Sequence, residues 1–234
     1  ITHRGPDQDG TYAADGISLG HRRLSIIDLS DHGRQPMQNE DGNVQLAFNG
    51  EIYNYQDLKP ELEQKGHKFA SNTDSEVIIH AYEEYGPDCV NKLRGMFAFA
   101  IWDAPKQQLF VARDRIGIKP LYYYLHNGKL IFASEIKAIL ENPDVPRELN
   151  HQALYDYIGF EFVAAPMTMF RDIMKLPAGH HLVHRNGETK VERYWDLSLK
   201  PNAENLSYES AAEPHRDLLP SPVMLPLILP IRLR

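Results

Sequence analysis

The stretch GMFAFAIWDAPKQQLFVAR, residues 95–113, decides the fold. Two runs of β-forming residues, 95–103 and 108–113, flank the turn Ala104-Pro105-Lys106, so the spacing predicts a strand pair. The pattern recurs toward the C-terminus. Residues 121–133, LYYYLHNGKLIFA, carry Asn127-Gly128 at their centre, and 180–195, HHLVHRNGETKVERYW, repeat that turn at Asn186-Gly187. Asn-Gly between β-formers is the strongest short hairpin signal, because both turn residues accept positive φ. Alternation of apolar and polar residues predicts further strands at 17–19, 23–27 and 44–48.

Helical periodicity is confined to four places. Residues 55–65 stop before Gly66, and 75–85 are bounded by Asp74 as N-cap and by Gly86-Pro87. Shorter helices are expected at 134–141 and at 151–159, the latter capped by Asn150. Strands outnumber helices and join mostly by hairpins. The expected class is therefore α+β, layered, with mainly antiparallel sheets.

The chain has 234 residues, with 25 basic against 32 acidic side chains and a net charge of −7. That balance argues against a general nucleic-acid partner, which needs a basic face to neutralise phosphates. A hydrophobic share of 42% with 24% charged residues fits a globular protein with one sizeable core, or one domain and the start of a second. No run of about 18 apolar residues is present, so no membrane span is expected, and no signal peptide is visible. The one cysteine, Cys89, rules out an intrachain disulfide and a cysteine-based zinc site and fits a reducing, cytoplasmic setting. Composition shifts near 198. Residues 198–206 read as a linker, 207–219 as a short helix, and 220–234 as a proline-punctuated apolar tail that cannot form a regular helix.

Local chemistry leaves several residues undecided. His180, His181 and His184 form the densest histidine cluster, but a strand sends His181 to the opposite face from the other two, so no metal is expected. Cys89 has no basic group placed to lower its pKa and is expected in the core. Neither GxxxxGK[ST] nor GxGxxG occurs, so no dinucleotide or P-loop site is expected. Asn49-Gly50 follows the apolar strand VQLAF. The pair can offer a side-chain amide and an open backbone N–H to one oxygen, as an oxyanion hole requires, or can be a simple turn. Arg23 can hold a carboxylate and Asp74 an ammonium group, or each can be an ordinary surface charge or cap.

Eight blocks in order remove much of that ambiguity. They are HRGPD (3–7), HRRLSIIDLS (21–30), FNGEIYNY (48–55), TDSEVIIHAYEEYG (73–86), LRGMFAFAIWD (93–103), RDRIGIKPLYY (113–123), FASEIKAI (132–139) and FRDIMKLPAGHHL (170–182). Together they resemble the class II glutamine amidotransferase domain of glutamine-hydrolysing asparagine synthetases, over residues 1 to about 219. The resemblance implies an N-terminal-nucleophile type four-layer α/β/β/α sandwich with two mainly antiparallel sheets. It implies an amidotransferase domain at 1–197, the linker and the start of a synthetase domain at 198–219, and a divergent tail at 220–234. Arg23 matches the arginine that binds the glutamine α-carboxylate, with Leu24 and Ile26 lining the pocket. Asn49 and Gly50 match the oxyanion-hole pair, and Glu51 and Asp74 the carboxylates that receive the α-ammonium.

The same resemblance expects a nucleophilic N-terminal cysteine on a strand upstream of the HRGPD block. This sequence begins at Ile1, and Cys89 does not take that cysteine's place, so the polypeptide as given is expected to hydrolyse nothing. L-glutamine is the implied substrate. Aspartate, ATP and Mg2+ belong to the synthetase half of a complete protein, for which a homodimer is compatible; no cofactor is expected in the part given. The alternatives are an inactive glutamine-binding remnant, or a related amidotransferase acting on another carboxylate acceptor.

Overall fold

The computed structural model of the chain describes residues 1–25 and 30–197. After a 3-10 turn at Thr2–Arg4 come β1 (Gln8–Ala14), β2 (Ile17–Arg23), β3 (Met37–Gln38) and β4 (Val44–Ile52). Two helices follow, α1 (Tyr55–Gln64) and α2 (Glu76–Tyr85), then β5 (Gly95–Asp103), β6 (Gln108–Arg113), β7 (Tyr122–His126) and β8 (Lys129–Ala133). The described chain ends through α3 (Ile136–Ile139), α4 (His151–Phe160), β9 (Ile173–Lys175), β10 (His180–Arg185) and β11 (Glu188–Arg193). All pairings are antiparallel. They build a six-stranded sheet of order β11-β10-β6-β5-β4-β3, a three-stranded sheet β8-β7-β9 and the hairpin β1-β2.

The two-residue period of a strand explains the layering. On β5, Phe97, Phe99 and Ile101 point to one side, where they meet Val77, Ile78 and Tyr82 of α2 and Leu58 and Leu62 of α1. Ala98, Ala100 and Trp102 point to the other side and meet Leu19 of β2 with Leu121 and Leu176. The next strand repeats this split, with Phe110 and Ala112 toward the helices and Leu109 and Val111 away from them. A third cluster packs Ile139 of α3 against Tyr124 of β7 and Ile173 of β9. The order is thus helix, sheet, sheet, helix, which is the four-layer arrangement expected. The second β layer is in two parts, because no described strand pairs β2 with the three-stranded sheet. No helix among the described residues is long and apolar enough to cross a membrane.

Several elements depart from the sequence expectation. The strand expected at 17–19 extends to Arg23, carried through its polar HRR segment by pairing with β1 from Gln8↔Arg23 to Ala14↔Ile17. No strand runs on from Arg23 through Leu24 and Ser25, and residues 26–27 of the strand expected at 23–27 lie outside the described residues. The partner strand β1 was not anticipated, although Asp15-Gly16 marks the hairpin tip, with Gly16 at φ 76°. Asp74 does not cap α2. Its carboxylate instead accepts from Ile52 N–H at 2.8 Å, and Ser75 precedes the helix without a side-chain cap. Asn150 does cap α4, accepting from Ala153 N–H at 3.1 Å. The helix expected at 134–141 shrinks to four residues, since Glu135 is extended and its carboxylate engages His3, Arg4 and Lys137. The linker, short helix and tail expected from 198 onward lie outside the described residues.

The loop after β6 is organised by one side chain. Asp114, fully buried, accepts from the backbone N–H groups of Phe97, Ile116, Ile118 and Lys119. Arg113 beside it donates to the carbonyls of Gly117, Lys119 and Leu176. Removing an acceptor from buried donors costs about 1–3 kcal/mol per uncompensated group. Asp114→Ala is therefore expected to destabilise the chain by about 3 kcal/mol or more in urea unfolding. A loss under about 1 kcal/mol would show that solvent replaces the carboxylate, contrary to its burial.

Candidate active site

Strand β4 carries the centre of the site. Val44, Leu46, Phe48 and Ile52 face the helices, so Asn49 and Glu51 face the other way, toward the second β layer. The backbone here is unusually close to β5. A Cβ at Gly50 would lie 2.2 Å from Met96 O, and one at Gly95 would lie 2.1 Å from Glu51 O. Glycine is required at both positions by this mutual approach.

The Asn49 side chain has an unpaired donor: Nδ2 is closed to solvent and has no hydrogen-bond partner. A buried N–H left unsatisfied costs about 1–3 kcal/mol, and this donor is available to an incoming oxygen. Asn49 lines a cleft of about 210 Å³ between the layers, together with Ala47, Gly20 and His21 of β2, Ala98 and Ala100 of β5, and Phe132 and Ala133 of β8. Ala47, Ala98, Ala100 and Ala133 make part of the lining small and apolar, and Ile1 and Arg4 also line it.

Beside the cleft lies a charged group of three. Arg23, at the end of β2, is 6% exposed and donates to Gln8 Oε1 at 2.8 Å and to Ser30 O at 3.1 Å. Gly33 is pressed against its guanidinium, where a Cβ would come within 2.1 Å. Asp74 is equally buried. Burial pushes its carboxyl up to about 6, the negative charge of Glu51 adds to the rise, and Ile52 N–H and Arg23 oppose it. Burial also raises the Glu51 carboxyl, with Lys119 pulling it back. Two carboxylates and one guanidinium thus share a partly dry region, with a demand for positive charge near Asp74 and Glu51.

Of the residues picked from the sequence, Arg23, Glu51 and Asp74 come within electrostatic reach of one another, and Asn49 and Gly50 adjoin them along β4. Only Asn49 lines the cleft itself. Leu24 is 55% exposed beside Arg23, and Ile26 lies outside the described residues. His21 was missed. Its Nε2 contacts Phe48 O at 2.8 Å and its Nδ1 is buried without a partner. Burial lowers its pKa, and Arg23 lowers it further, so the ring is neutral. Since a carbonyl only accepts, Nε2 carries the hydrogen and Nδ1 keeps a lone pair. The signal was available: Ile17, Leu19, His21 and Arg23 share one face of a strand, and Leu19 belongs to the core.

Residues 1–195 match the model of the glutamine amidotransferase domain. The chain belongs to that family. This amidotransferase domain is 41% identical over 203 residues to asparagine synthetase [glutamine-hydrolyzing] 1 of Bacillus subtilis, covering 86% of this chain and 32% of that protein. It is 36% identical over 208 residues to asparagine synthetase [glutamine-hydrolyzing] 3 of the same organism, covering 88% and 34%. It therefore spans about a third of the length of these relatives. Among solved structures, the glutamine phosphoribosylpyrophosphate amidotransferase of B. subtilis superposes with a TM-score of 0.53 at 22% identity, over 78% of this chain and 35% of that one. That likeness concerns the fold alone.

The amidotransferase domain holds Asp74 charged against its own stability. Its carboxyl rises from 3.8 to about 6 on folding, so the folded state binds the proton more tightly than the unfolded chain. The penalty is full above pH 6 and vanishes below about pH 3.8, and a shift of this size corresponds to about 2–3 kcal/mol. Asp74→Asn, which keeps an acceptor for Ile52 N–H, is expected to raise unfolding free energy at pH 8 by that order and to converge with the parent near pH 4. A destabilised variant at pH 8 would contradict the assigned burial cost.

Proposed function

We propose that this chain is the glutaminase portion of a glutamine-dependent asparagine synthetase, releasing ammonia from L-glutamine for amidation of aspartate. The observation that carries the reading is the buried, unpartnered Nδ2 of Asn49 beside a guanidinium and two carboxylates. Glutamine is a zwitterion with a neutral side-chain amide. Arg23 would take its α-carboxylate, Glu51 and Asp74 its α-ammonium, and Leu24 and Ile26 would flank its methylenes. That clamp fixes register, so the side-chain carbonyl reaches Asn49 and Gly50. As the carbon becomes tetrahedral, the carbonyl oxygen gains negative charge and draws on Asn49 Nδ2 and Gly50 N–H, which stabilise that charge without reorganising. The neutral His21 fixes the Phe48 carbonyl next to Asn49, holding the strand that presents both donors.

Cys89 cannot be the nucleophile of this reaction. It is fully buried among helix-side core residues, and burial pushes its thiol far up. The nucleophile would be a cysteine on a segment preceding Ile1, entering the cleft lined by Ile1, Gly20 and Asn49. The ATP and Mg2+ needed to activate aspartate would be held by the portion of the longer protein that this chain does not span, in the cytoplasm.

The test uses the full-length protein. Asn49→Ala is expected to lower glutaminase kcat by about 10²–10³-fold with KM for glutamine within about threefold. Arg23→Ala is expected mainly to raise KM. Because the ammonium needs a charged Asp74, glutamine affinity is expected to fall as pH drops through about 6. Equal losses in kcat and binding for Asn49→Ala would remove it from the oxyanion role. Pyrophosphate release that does not depend on aspartate would replace the acceptor.

A further inference from the structure

On the far side of the six-stranded sheet from Asn49, α2 and the loop after α1 bring together His67, His80 and Glu83, whose ligand atoms all lie within 4.8 Å of one another. The two imidazole rings are 5.0 Å apart. Glu83 Oε2 is 2.8 Å from His80 Nδ1 and 3.4 Å from His67 Nδ1. Those separations bracket the edge of about 3.3 Å that a tetrahedral zinc with bonds near 2.0–2.1 Å requires. His80 sits at positions i+4 from Glu76 and i−3 from Glu83, so helical geometry alone places a carboxylate at each end of its ring.

What separates this cluster from an ordinary surface network is its outer layer. His80 is 1% exposed, and its Nε2 is buried without a hydrogen-bond partner, 3.7 Å from Glu76 Oε1. On His67 the outward nitrogen, Nε2, lies 3.6 Å from Glu84 Oε2. The other oxygen of Glu83 is held by Asn39 Nδ2 at 2.7 Å. Each of the three inner groups thus has a group behind it, two carboxylates behind the imidazoles and an amide behind the carboxylate, as is typical of ligands whose orientation is fixed from outside. Glu76 is itself fixed by Ser71 and the Ala70 and Ser71 N–H groups.

We propose that His67, His80 and Glu83 form a binding site for a divalent transition metal of the zinc class, pinning the loop after α1 onto α2. Two imidazoles and one carboxylate form a mixed nitrogen–oxygen set suited to zinc or cobalt, and poorly suited to magnesium or calcium, which favour oxygen ligands. The surrounding carboxylates favour a dication, and Glu83, with its side chain 22% exposed, opens the site to solvent. The fourth position would be taken by water. The sequence alone hid this group, because His67 and His80 are thirteen positions apart and no motif links them.

The test applies zinc and cobalt chlorides to the full chain after chelator treatment. Expected are one equivalent bound with micromolar or tighter affinity, the visible absorption of four-coordinate cobalt, and a melting temperature several degrees higher with zinc. His67→Ala, in a loop, and Glu83→Gln should each weaken binding at least about tenfold while the metal-free melting temperature stays close to the parent's. Absence of stoichiometric binding would overturn the proposal, leaving a proton on His80 between its carboxylates. So would a cobalt spectrum unchanged in both variants.

Discussion

Nine residues of β4 lie against nine of β5, from Val44↔Asp103 to Ile52↔Gly95, and Gly50 and Gly95 let the two backbones approach more closely than any side chain would permit. That pairing does two things at once. It makes β5 a strand buried on both faces, so that its phenylalanines can support the helices while its alanines leave room for the second layer. It also fixes the direction in which Asn49 and Glu51 point. A one-residue slip would turn both side chains into the helix-side core and expose Phe48 to the cleft. The position of the site therefore follows from register, and register follows from the two glycines and the apolar alternation around them.

The groups at the site are individually unfavourable for folding. Asn49 keeps a buried donor unpaired, Asp74 holds a carboxylate where burial opposes its charge, and His21 keeps one ring nitrogen dry and unpartnered. Two other buried carboxylates are fully engaged. Asp114 serves four backbone donors, and Glu76 satisfies Ser71 and the N–H groups of Ala70 and Ser71. Under the proposed function, a donor that nothing else has engaged is what a developing oxyanion requires.

Much of this was legible before the structure. The β5–β6 pair and both Asn-Gly hairpins follow from turn chemistry and β-propensity, and α4 begins where Asn150 predicts. Other features depended on long-range partners. β1 was missed because its sequence mixes polar and small residues, and only pairing with β2 makes it a strand. Asp74 looks like a helix cap locally, yet Ile52, twenty-two residues earlier, claims its carboxylate. At the site, resemblance supplied roles for Arg23, Glu51 and Asp74 that charge alone could not, and strand parity could have added His21. The cluster of His67, His80 and Glu83 was invisible because its histidines belong to different elements brought together only by the packing of α1 on α2.

Under the proposed function, Asn49 and Gly50 present donors to the side-chain carbonyl of glutamine held by Arg23, Glu51 and Asp74. The decisive measurement follows the Asn49 side-chain NH2 and Gly50 backbone N–H resonances of the chain during a titration with L-glutamine. Both resonances are expected to move saturably, with one dissociation constant, and Asp74→Asn is expected to weaken binding at pH 8. Resonances that stay in place while glutamine binds elsewhere, or while the folded chain fails to bind it, would contradict that reading.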